Sequence, residues 1–306
     1  MNGTLRNANA WAAAYHALCD RLPPRCSRPD CQHNGPAWKR LRRRRPGVVF
    51  QNEWYCLEGC LERPLIEALR RARTPSQSFA QRHRIPLGLL LISRQQLTVS
   101  QLRAALAAQH SAGYGRIGEW LQHLGFSSEQ QITAALARQW SCPVLRSNSF
   151  VPATSEAVRM PFTLLRWRFM APLDFVSSTA TLHMAFGGEL HHSSLYAMEQ
   201  MLGCHTEACL VAPSVLRRYL ATLPETRGES EVVFERVADP AELARIVSSY
   251  GARLGASEIR LAACGPHLWI RLLRPPRPPM DLLLHSFADL AARPEFSFPS
   301  AELAPA

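Results

Sequence analysis

An internal repeat constrains the fold of this 306-residue chain more than any other feature of its sequence. Offsetting the sequence by 30 residues aligns 87–109 with 117–139, and 8 of these 23 pairs are identical. The identical pairs are Gly88/Gly118, Leu91/Leu121, Gln101/Gln131, Ala104/Ala134, Ala105/Ala135, Leu106/Leu136, Ala107/Ala137 and Gln109/Gln139. Self-similarity at a fixed spacing predicts two copies of one supersecondary unit, which bury their apolar faces by packing together.

The polar residues of each copy predict a helix, a turn and a second helix. Thr98 and Ser128 hold equivalent positions, and each is followed three residues later by a glutamine, Gln101 or Gln131. This spacing is that of a capping box, in which side-chain and backbone groups exchange hydrogen bonds at the first turn of a helix. Gly125 lies where the first helix of the second copy should end, because glycine readily adopts the left-handed conformation of a helix terminus.

The short turn at Gly125 predicts that the second copy is a helical hairpin. We expect the helices at 116–124 and 128–139 to run antiparallel, as helices joined by short connections do. This arrangement would bring Arg116 and Gln139, the two ends of the copy, to the same edge.

The spacing of these residues resembles the tandem motif in the N-terminal domain of type II secretion and type IV pilus assembly ATPases. In that motif Arg, Leu or Ile, and Gly are followed at fixed intervals by Leu, Gly, Leu, Leu and Gln. The second copy matches it at Arg116, Ile117, Gly118, Leu121, Gly125, Ile132, Leu136 and Gln139. The first copy matches it at Leu87, Gly88, Leu91, Leu102, Leu106 and Gln109. It has Pro86 in place of the Arg and Gln95 in place of the turn Gly, and Arg84 lies two residues too early.

In one branch of that family the tandem motif binds cyclic di-GMP, so the resemblance implies a ligand site within 86–139. A guanidinium can donate paired hydrogen bonds to guanine O6 and N7 or to a phosphate, and leucines offer a flat apolar surface to a purine. The implied site residues are Arg116, Ile117, Gly118, Leu121, Gly125 and Gln139, with Leu87, Gly88, Leu91 and Gln109 from the first copy.

A structural role explains the same residues without any ligand. The leucines that a pair of helical hairpins needs for its core are Leu91, Leu106, Leu121 and Leu136. Gly125 need only end a helix. A ligand site and a scaffold that has lost its ligand therefore both remain open.

The resemblance extends more weakly beyond the repeat. Residues 143–223 resemble the small α/β lobe that follows the motif in those ATPases, and 255–260 (GASEIR) resemble the Gly-Ala-Ser-Asp-Ile-His box before their motor core. Glu258 and Arg260 replace the Asp and His of that box. The phosphate-binding pattern G-x-x-x-x-G-K-[ST] and the nucleophile turn G-x-S-x-G do not occur in the sequence. The resemblance thus implies a regulatory or adaptor protein that is not an enzyme and has a partner in the secretion or pilus machinery.

Four cysteines near the N-terminus are spaced like the ligands of a structural metal. Cys26 and Cys31 form one close pair, and Cys56 and Cys60 form a second after 24 intervening residues. Two such pairs predict a tetrahedral zinc site with four thiolates. Residues 48–55 predict a hairpin or a strand leading into Cys56, and Cys60 should lie one turn into the following helix, similar to treble-clef fingers.

Two other interpretations of the cysteines stay open. His33 could replace one of the four ligands. Alternatively, the four residues could be buried thiols in a small domain that needs no metal, since free cysteine packs like a small apolar residue.

The positive charge of the chain is concentrated in its first quarter. Residues 1–84 contain 16 Lys and Arg against 6 Asp and Glu, whereas the remainder contains 19 against 18. The run 39–45 (KRLRRRR) lies between the two cysteine pairs. Because a basic run on a zinc module can bind phosphates, a zinc-stabilised nucleic-acid-binding protein is the alternative function. The run also fits a solvated loop or a docking patch for an acidic surface.

The sequence as a whole predicts an α+β multi-domain chain. The expected parts are an N-terminal helix with a small, basic zinc module at 1–73, a linker at 74–83, a domain at 84–223, a linker at 224–230 and a small C-terminal α/β domain at 231–306. The middle domain combines the helical tandem repeats at 86–139 with an α/β lobe at 143–223, and the last domain should finish with a Pro-rich turn and a helix. Without a secretory signal or an apolar run of about 20 residues, the chain is predicted to be cytoplasmic and not an integral membrane protein.

Overall fold

The computed structural model describes residues 24–34, 46–57, 59–73, 84–152, 159–226, 228–235, 237 and 239–285. The predicted N-terminal helix, the basic run 39–45 and the linker 74–83 lie outside these ranges, so the nucleic-acid alternative stays a prediction. The described residues divide into two compact units. The first holds the residues up to 73 together with 228–263 and 267–285, and the second holds 84–226 with 264–266.

The described residues form both helices and strands. In chain order they are β1 (Gly47–Phe50), β2 (Glu53–Cys56), α1 (Glu62–Arg73), α2 (Leu87–Ser93), α3 (Val99–Ala112), α4 (Ile117–His123), α5 (Glu129–Trp140), α6 (Phe162–Trp167), β3 (Met170–Val176), β4 (Thr181–Phe186), α7 (His192–Leu202), β5 (His205–Leu210), α8 (Pro213–Thr222), β6 (Glu231–Phe234), α9 (Pro240–Leu254), β7 (Glu258–Cys264), β8 (His267–Arg274) and β9 (Arg277–Leu284). The predicted α+β class is confirmed. No helix in the described ranges combines the length and the apolar content that crossing a bilayer requires.

A six-stranded sheet in the order β2-β1-β7-β8-β9-β6 forms the first unit. β1 and β2 make the predicted hairpin, which turns at Gln51 and Asn52 with positive φ at both residues. β1 then pairs in parallel with β7, where Phe50 lies opposite Ile259. β1, which lies between the two cysteine pairs in the sequence, is therefore an integral part of the six-stranded sheet.

The first unit is thus built from segments that the sequence analysis assigns to separate domains at 1–73 and 231–306. α1 and α9 pack against each other over one face of the sheet. Leu65 of α1 and Val247 of α9 are fully buried there, together with Phe50 of β1. The apolar residues of the N-terminal segment find their core against residues far later in the chain, so the two segments fold as one unit.

The predicted Pro-rich turn lies at Pro275 and Pro276, and β9 follows it at 277–284, where the sequence analysis predicts a helix. Pro278 and Pro279 belong to this strand although proline lacks the N–H group that a sheet uses. They precede 281–284, the part of β9 that pairs with β6, and the pairing of β9 with β8 is irregular between Leu272 and Arg274. The prolines are tolerated because the hydrogen-bond ladder is incomplete around them.

The four helices α2–α5 carry the repeat, and they exchange partners between its two copies. α3 packs mainly against α4, and α5 packs mainly against α2. A Cβ atom added to Gly118 would lie 3.3 Å from Ile132 of the same copy and 3.3 Å from Leu87 of the other copy. The two copies therefore pack closely against each other, and the two helices of the second copy also approach each other at Gly118 and Ile132, as the predicted hairpin requires.

A three-stranded sheet in the order β3-β4-β5 follows the repeat. β3 and β4 are antiparallel, and α7 connects β4 to β5, which run parallel. Glu129 in α5 accepts hydrogen bonds from the backbone N–H and the hydroxyl of Ser214 in α8, at 2.7 and 2.6 Å. This carboxylate caps the N-terminus of α8 and so ties the helical repeat to the α/β lobe.

Candidate ligand site and metal centre

Both copies of the repeat make the same turn, although only one of them has a glycine there. Gly125 has a φ of 68°, and Gln95, its equivalent in the first copy, has a φ of 58°. Thr98 and Ser128 both form the predicted capping boxes with the glutamine three residues later. The departure of the first copy from the motif at residue 95 therefore leaves the course of the backbone unchanged.

Each of the two motif glutamines donates a hydrogen bond to the backbone at the start of the other copy. Nε2 of Gln109 in the first copy donates to the carbonyl oxygen of Gly115, 2.7 Å away and directly before Arg116. Nε2 of Gln139 in the second copy donates to the carbonyl oxygen of Ile85 at 2.8 Å. The two donors are 30 residues apart in the sequence, and so are the two acceptors. Exchanging the two copies therefore converts one hydrogen bond into the other, which is a pseudo-two-fold relation. The backbone directly before Arg116 is therefore held by Gln109 of the other copy.

Arg116 lies at the edge of the repeat, with its side chain 62% exposed. Its Nη2 is 2.8 Å from Oε2 of Glu189, a residue between β4 and α7. His191 also approaches this carboxylate, at 4.0 Å, but burial and the nearby guanidinium groups of Arg168 and Arg116 lower the pKa of His191 to about 3. Near pH 7 His191 is neutral, and Arg116 is the cation that Glu189 holds.

Most apolar residues of the predicted ligand site are buried between the helices. The buried ones are Leu87, Gly88, Leu91, Gly118 and Leu121. Ile117 is partly buried and Gly125 is exposed. The exposed apolar side chains on the helical repeat include Ile85, Leu89 and Leu106, of which only Leu106 belongs to the motif. The buried set therefore acts as the core of the repeat, as the structural alternative expects, whereas Leu106 does not.

The four N-terminal cysteines converge on one point. Their Sγ atoms all lie within 4.8 Å of one another, and all four residues are buried. Sγ of Cys56 is 3.6 Å from that of Cys31 and 3.8 Å from that of Cys26. Four thiolates at about 2.3 Å from a zinc ion form a tetrahedron with edges of about 3.8 Å. A disulfide requires a separation of about 2.05 Å, so the geometry fits a metal and not disulfides.

Three different segments supply the four thiols. Cys26 and Cys31 lie in the loop before β1, Cys56 ends β2, and Cys60 lies in the turn before α1 and not inside the helix as predicted. Burial, reinforced by hydrogen bonding with Cys60 and Cys31, raises the pKa of the Cys56 thiol. A cation among the four sulfurs would reverse this shift, because it stabilises the thiolate form.

Asn34 fixes the loop that carries the first cysteine pair, and the sequence analysis did not single it out. Its Oδ1 accepts from the backbone N–H of Cys26 at 2.9 Å, and its Nδ2 donates to the carbonyl oxygens of Cys26 and Arg28 at 2.8 and 3.1 Å. Nδ1 of His33 is 3.8 Å from Sγ of Cys31, beside the sulfur cluster. The four cysteines form the cluster by themselves, so the geometry favours them over a set that includes His33.

Comparison with known proteins finds similar chains among solved structures. No family model matches the sequence, and no curated protein matches it. The structure described as "Structure of MshE with cdg" is 27% identical, covers 45% of this chain and 98% of that chain, and has a TM-score of 0.35. The "Structure of the N-terminal domain of XpsE" is 16% identical, covers 44% and 91%, and has a TM-score of 0.36. Each of these two similarities covers less than half of this chain.

Proposed function

We propose that this chain is a non-catalytic, cytoplasmic regulatory or adaptor protein of a type II secretion or type IV pilus machine, and that its tandem motif binds cyclic di-GMP. The observation that carries the proposal is the reciprocal pairing of the two motif copies, with Arg116 at its exposed edge. A pseudo-two-fold surface suits a ligand made of two identical halves. The absence of a phosphate-binding loop pattern from the sequence supports a regulatory role over an ATPase.

The chemistry of Arg116 supports this ligand. An exposed guanidinium can donate two parallel hydrogen bonds to O6 and N7 of guanine, or to two phosphate oxygens. Gln109 holds the backbone directly before Arg116, which fixes the point from which the arginine side chain extends. In this proposal the motif glutamine positions the arginine, and the arginine contacts the ligand.

Replacing Arg116 tests the proposal. Cyclic di-GMP titrated into the wild-type chain by calorimetry is expected to bind with micromolar or tighter affinity. Arg116→Ala is expected to bind at least about tenfold more weakly, since one bidentate contact to a base contributes about 1–3 kcal/mol. Arg103→Ala is the matched control because Arg103 is an exposed arginine of α3 in the same repeat, and it should bind like the wild type.

The identity of the base provides a second check on the same protein. Cyclic di-AMP is expected to bind more weakly than cyclic di-GMP, because adenine presents an amino group where guanine has the O6 acceptor. No measurable binding of cyclic di-GMP to the wild type would contradict the proposal. Equal losses in Arg116→Ala and Arg103→Ala would contradict the assignment of Arg116.

Glu189 competes with the ligand for Arg116. Glu189→Gln should therefore bind cyclic di-GMP about two- to fivefold more tightly, because an exposed ion pair contributes roughly 0.2–1 kcal/mol that binding must overcome. The same titration measures this effect. Glu207→Gln is the control, since Glu207 is also exposed but pairs with His183. Weaker binding of Glu189→Gln would mean that Glu189 holds Arg116 in its binding orientation.

We also propose that Cys26, Cys31, Cys56 and Cys60 hold a structural zinc ion. Four buried thiols within 4.8 Å of one another supply all four ligands of a structural zinc ion and leave no open position for a substrate, so the metal would stabilise the fold and not react. It would join the loop before β1, the end of β2 and the turn before α1. A metal at this place stabilises the edge of the six-stranded sheet.

A further inference from the structure

Arg84 lies at the start of the first copy of the repeat, where the motif arginine is missing. Pro86 takes the position of that arginine and has no group that could bind a base or a phosphate. Gln139 holds the carbonyl group of Ile85, the residue after Arg84, in the same way as the residue before Arg116 is held. Both arginines therefore extend from backbone that a motif glutamine fixes, at equivalent ends of the two copies.

The guanidinium group of Arg84 stacks on an aromatic ring. Its Cζ lies 3.4 Å from the ring centroid of Trp140, the last residue of α5. A guanidinium stacked on an aromatic ring uses its flat face, so the N–H groups at its rim stay available to other acceptors. In the described part of the chain no carboxylate forms an ion pair with Arg84, and the residue is exposed.

The two arginines therefore differ in their present partners. Glu189 neutralises the charge of Arg116, whereas the Trp140 ring supports Arg84 and leaves its positive charge uncompensated. The stack also restricts the side-chain rotamers of Arg84 before any ligand arrives, which lowers the entropy lost on binding.

We propose that Arg84 supplies the guanidinium that the first copy lacks at position 86. The tandem site would then offer Arg84 to one half of cyclic di-GMP and Arg116 to the other, each donating to a guanine or a phosphate. This inference rests on the proposed function. It extends that function, because with Arg84 in this role the proline at position 86 no longer deprives the site of its second guanidinium. Trp140 acts as a positioning residue for Arg84.

Calorimetry with cyclic di-GMP on variants of the full chain tests the inference. Arg84→Ala is expected to weaken binding at least about fivefold, and the double variant with Arg116→Ala should show no measurable binding. Arg84→Lys keeps the charge but loses the planar fork, so its affinity should fall between those of Arg84→Ala and the wild type. Trp140→Leu removes the stack and should weaken binding less than Arg84→Ala does. Arg103→Ala again serves as the control.

The outcomes separate this inference from the proposed function. If the wild type binds and Arg116→Ala weakens binding while Arg84→Ala binds like the wild type, Arg84 has no role and the proposed function stands. If the wild type does not bind, both are wrong. Thermal unfolding of every variant controls for folding, and if Arg84→Ala fails to fold, Arg84→Lys decides. Wild-type affinity in Arg84→Lys would then overturn the need for a guanidinium.

Discussion

Replacing Cys56 by serine is expected to remove zinc from the protein and to unfold its first unit. Cys56 lies at the end of β2, and its Sγ is within 3.8 Å of those of both Cys26 and Cys31. Structural zinc sites contribute about 10–16 kcal/mol of apparent binding free energy in small zinc modules, which rivals the total stability of about 5–15 kcal/mol for an ordinary domain. Metal analysis should find one zinc ion per wild-type chain and none in Cys56→Ser, with a separate low-temperature unfolding transition in the variant.

Cysteines elsewhere in the chain provide the control for this prediction. Cys142→Ser lies in the second unit and should keep both the zinc and the wild-type unfolding curve. Treating the wild type with a chelator should reproduce the effect of Cys56→Ser, and adding zinc back should reverse it, which a mere packing defect would not do. A wild-type protein that takes up no zinc, or a Cys56→Ser variant that retains a full equivalent, would show the cluster to be four buried thiols.

Replacing Asp281 by asparagine is expected to cost the first unit about 3–5 kcal/mol of unfolding free energy. The Asp281 carboxylate accepts hydrogen bonds from Nε and Nη2 of Arg271, at 2.7 and 2.9 Å, and from Nε1 of Trp269 at 2.7 Å. The side chains of Arg271 and Asp281 are only 4% and 6% exposed. The variant therefore removes the negative charge that Asp281 places against a buried guanidinium, and water cannot compensate for the loss. Urea unfolding measures the change.

A charge-free replacement of the same pair is the control for Asp281→Asn. The double variant Arg271→Met/Asp281→Leu should recover much of the lost stability, because well-packed apolar residues often replace a buried ion pair without cost. A loss below about 1 kcal/mol in Asp281→Asn would contradict the prediction. In that case Glu231, which is buried and lies opposite Asp281 across β6 and β9, would be the carboxylate that balances Arg271.

Features with local signals were predictable from the sequence. Thr98 and Ser128 begin their helices because the cap and its glutamine are only three residues apart. The cysteine cluster was predictable for the same reason, since all four ligands lie within 26–60. Gln95 takes the left-handed conformation of its equivalent Gly125 even though its side chain disfavours it, so the turn is imposed by the packing of the repeat.

Features that depend on distant residues were not predictable in the same way. The periodicity of α4 shows that one face is buried, but it does not say whether α3 or α5 covers that face. The parallel pairing of β1 with β7 joins residues before and after 84–226, the main segment of the second unit, and no spacing within 48–55 indicates it. Asn34 was missed because asparagine is common in loops, and only the positions of its three hydrogen-bond partners distinguish it.

The path of the chain through the first unit has a consequence for its biosynthesis. β1 leaves the ribosome about 200 residues before its partner β7, a delay of roughly 10–40 s at about 5–20 residues per second. During that interval Val48 and Phe50 lack the part of their core that α9 and β7–β9 supply, while most of the second unit is synthesised. All four sulfur ligands emerge together with β1, so a metal ion could fold the nascent hairpin at once. Zinc would then first stabilise the β1–β2 hairpin before β7 is available, and later stabilise the edge of the completed sheet.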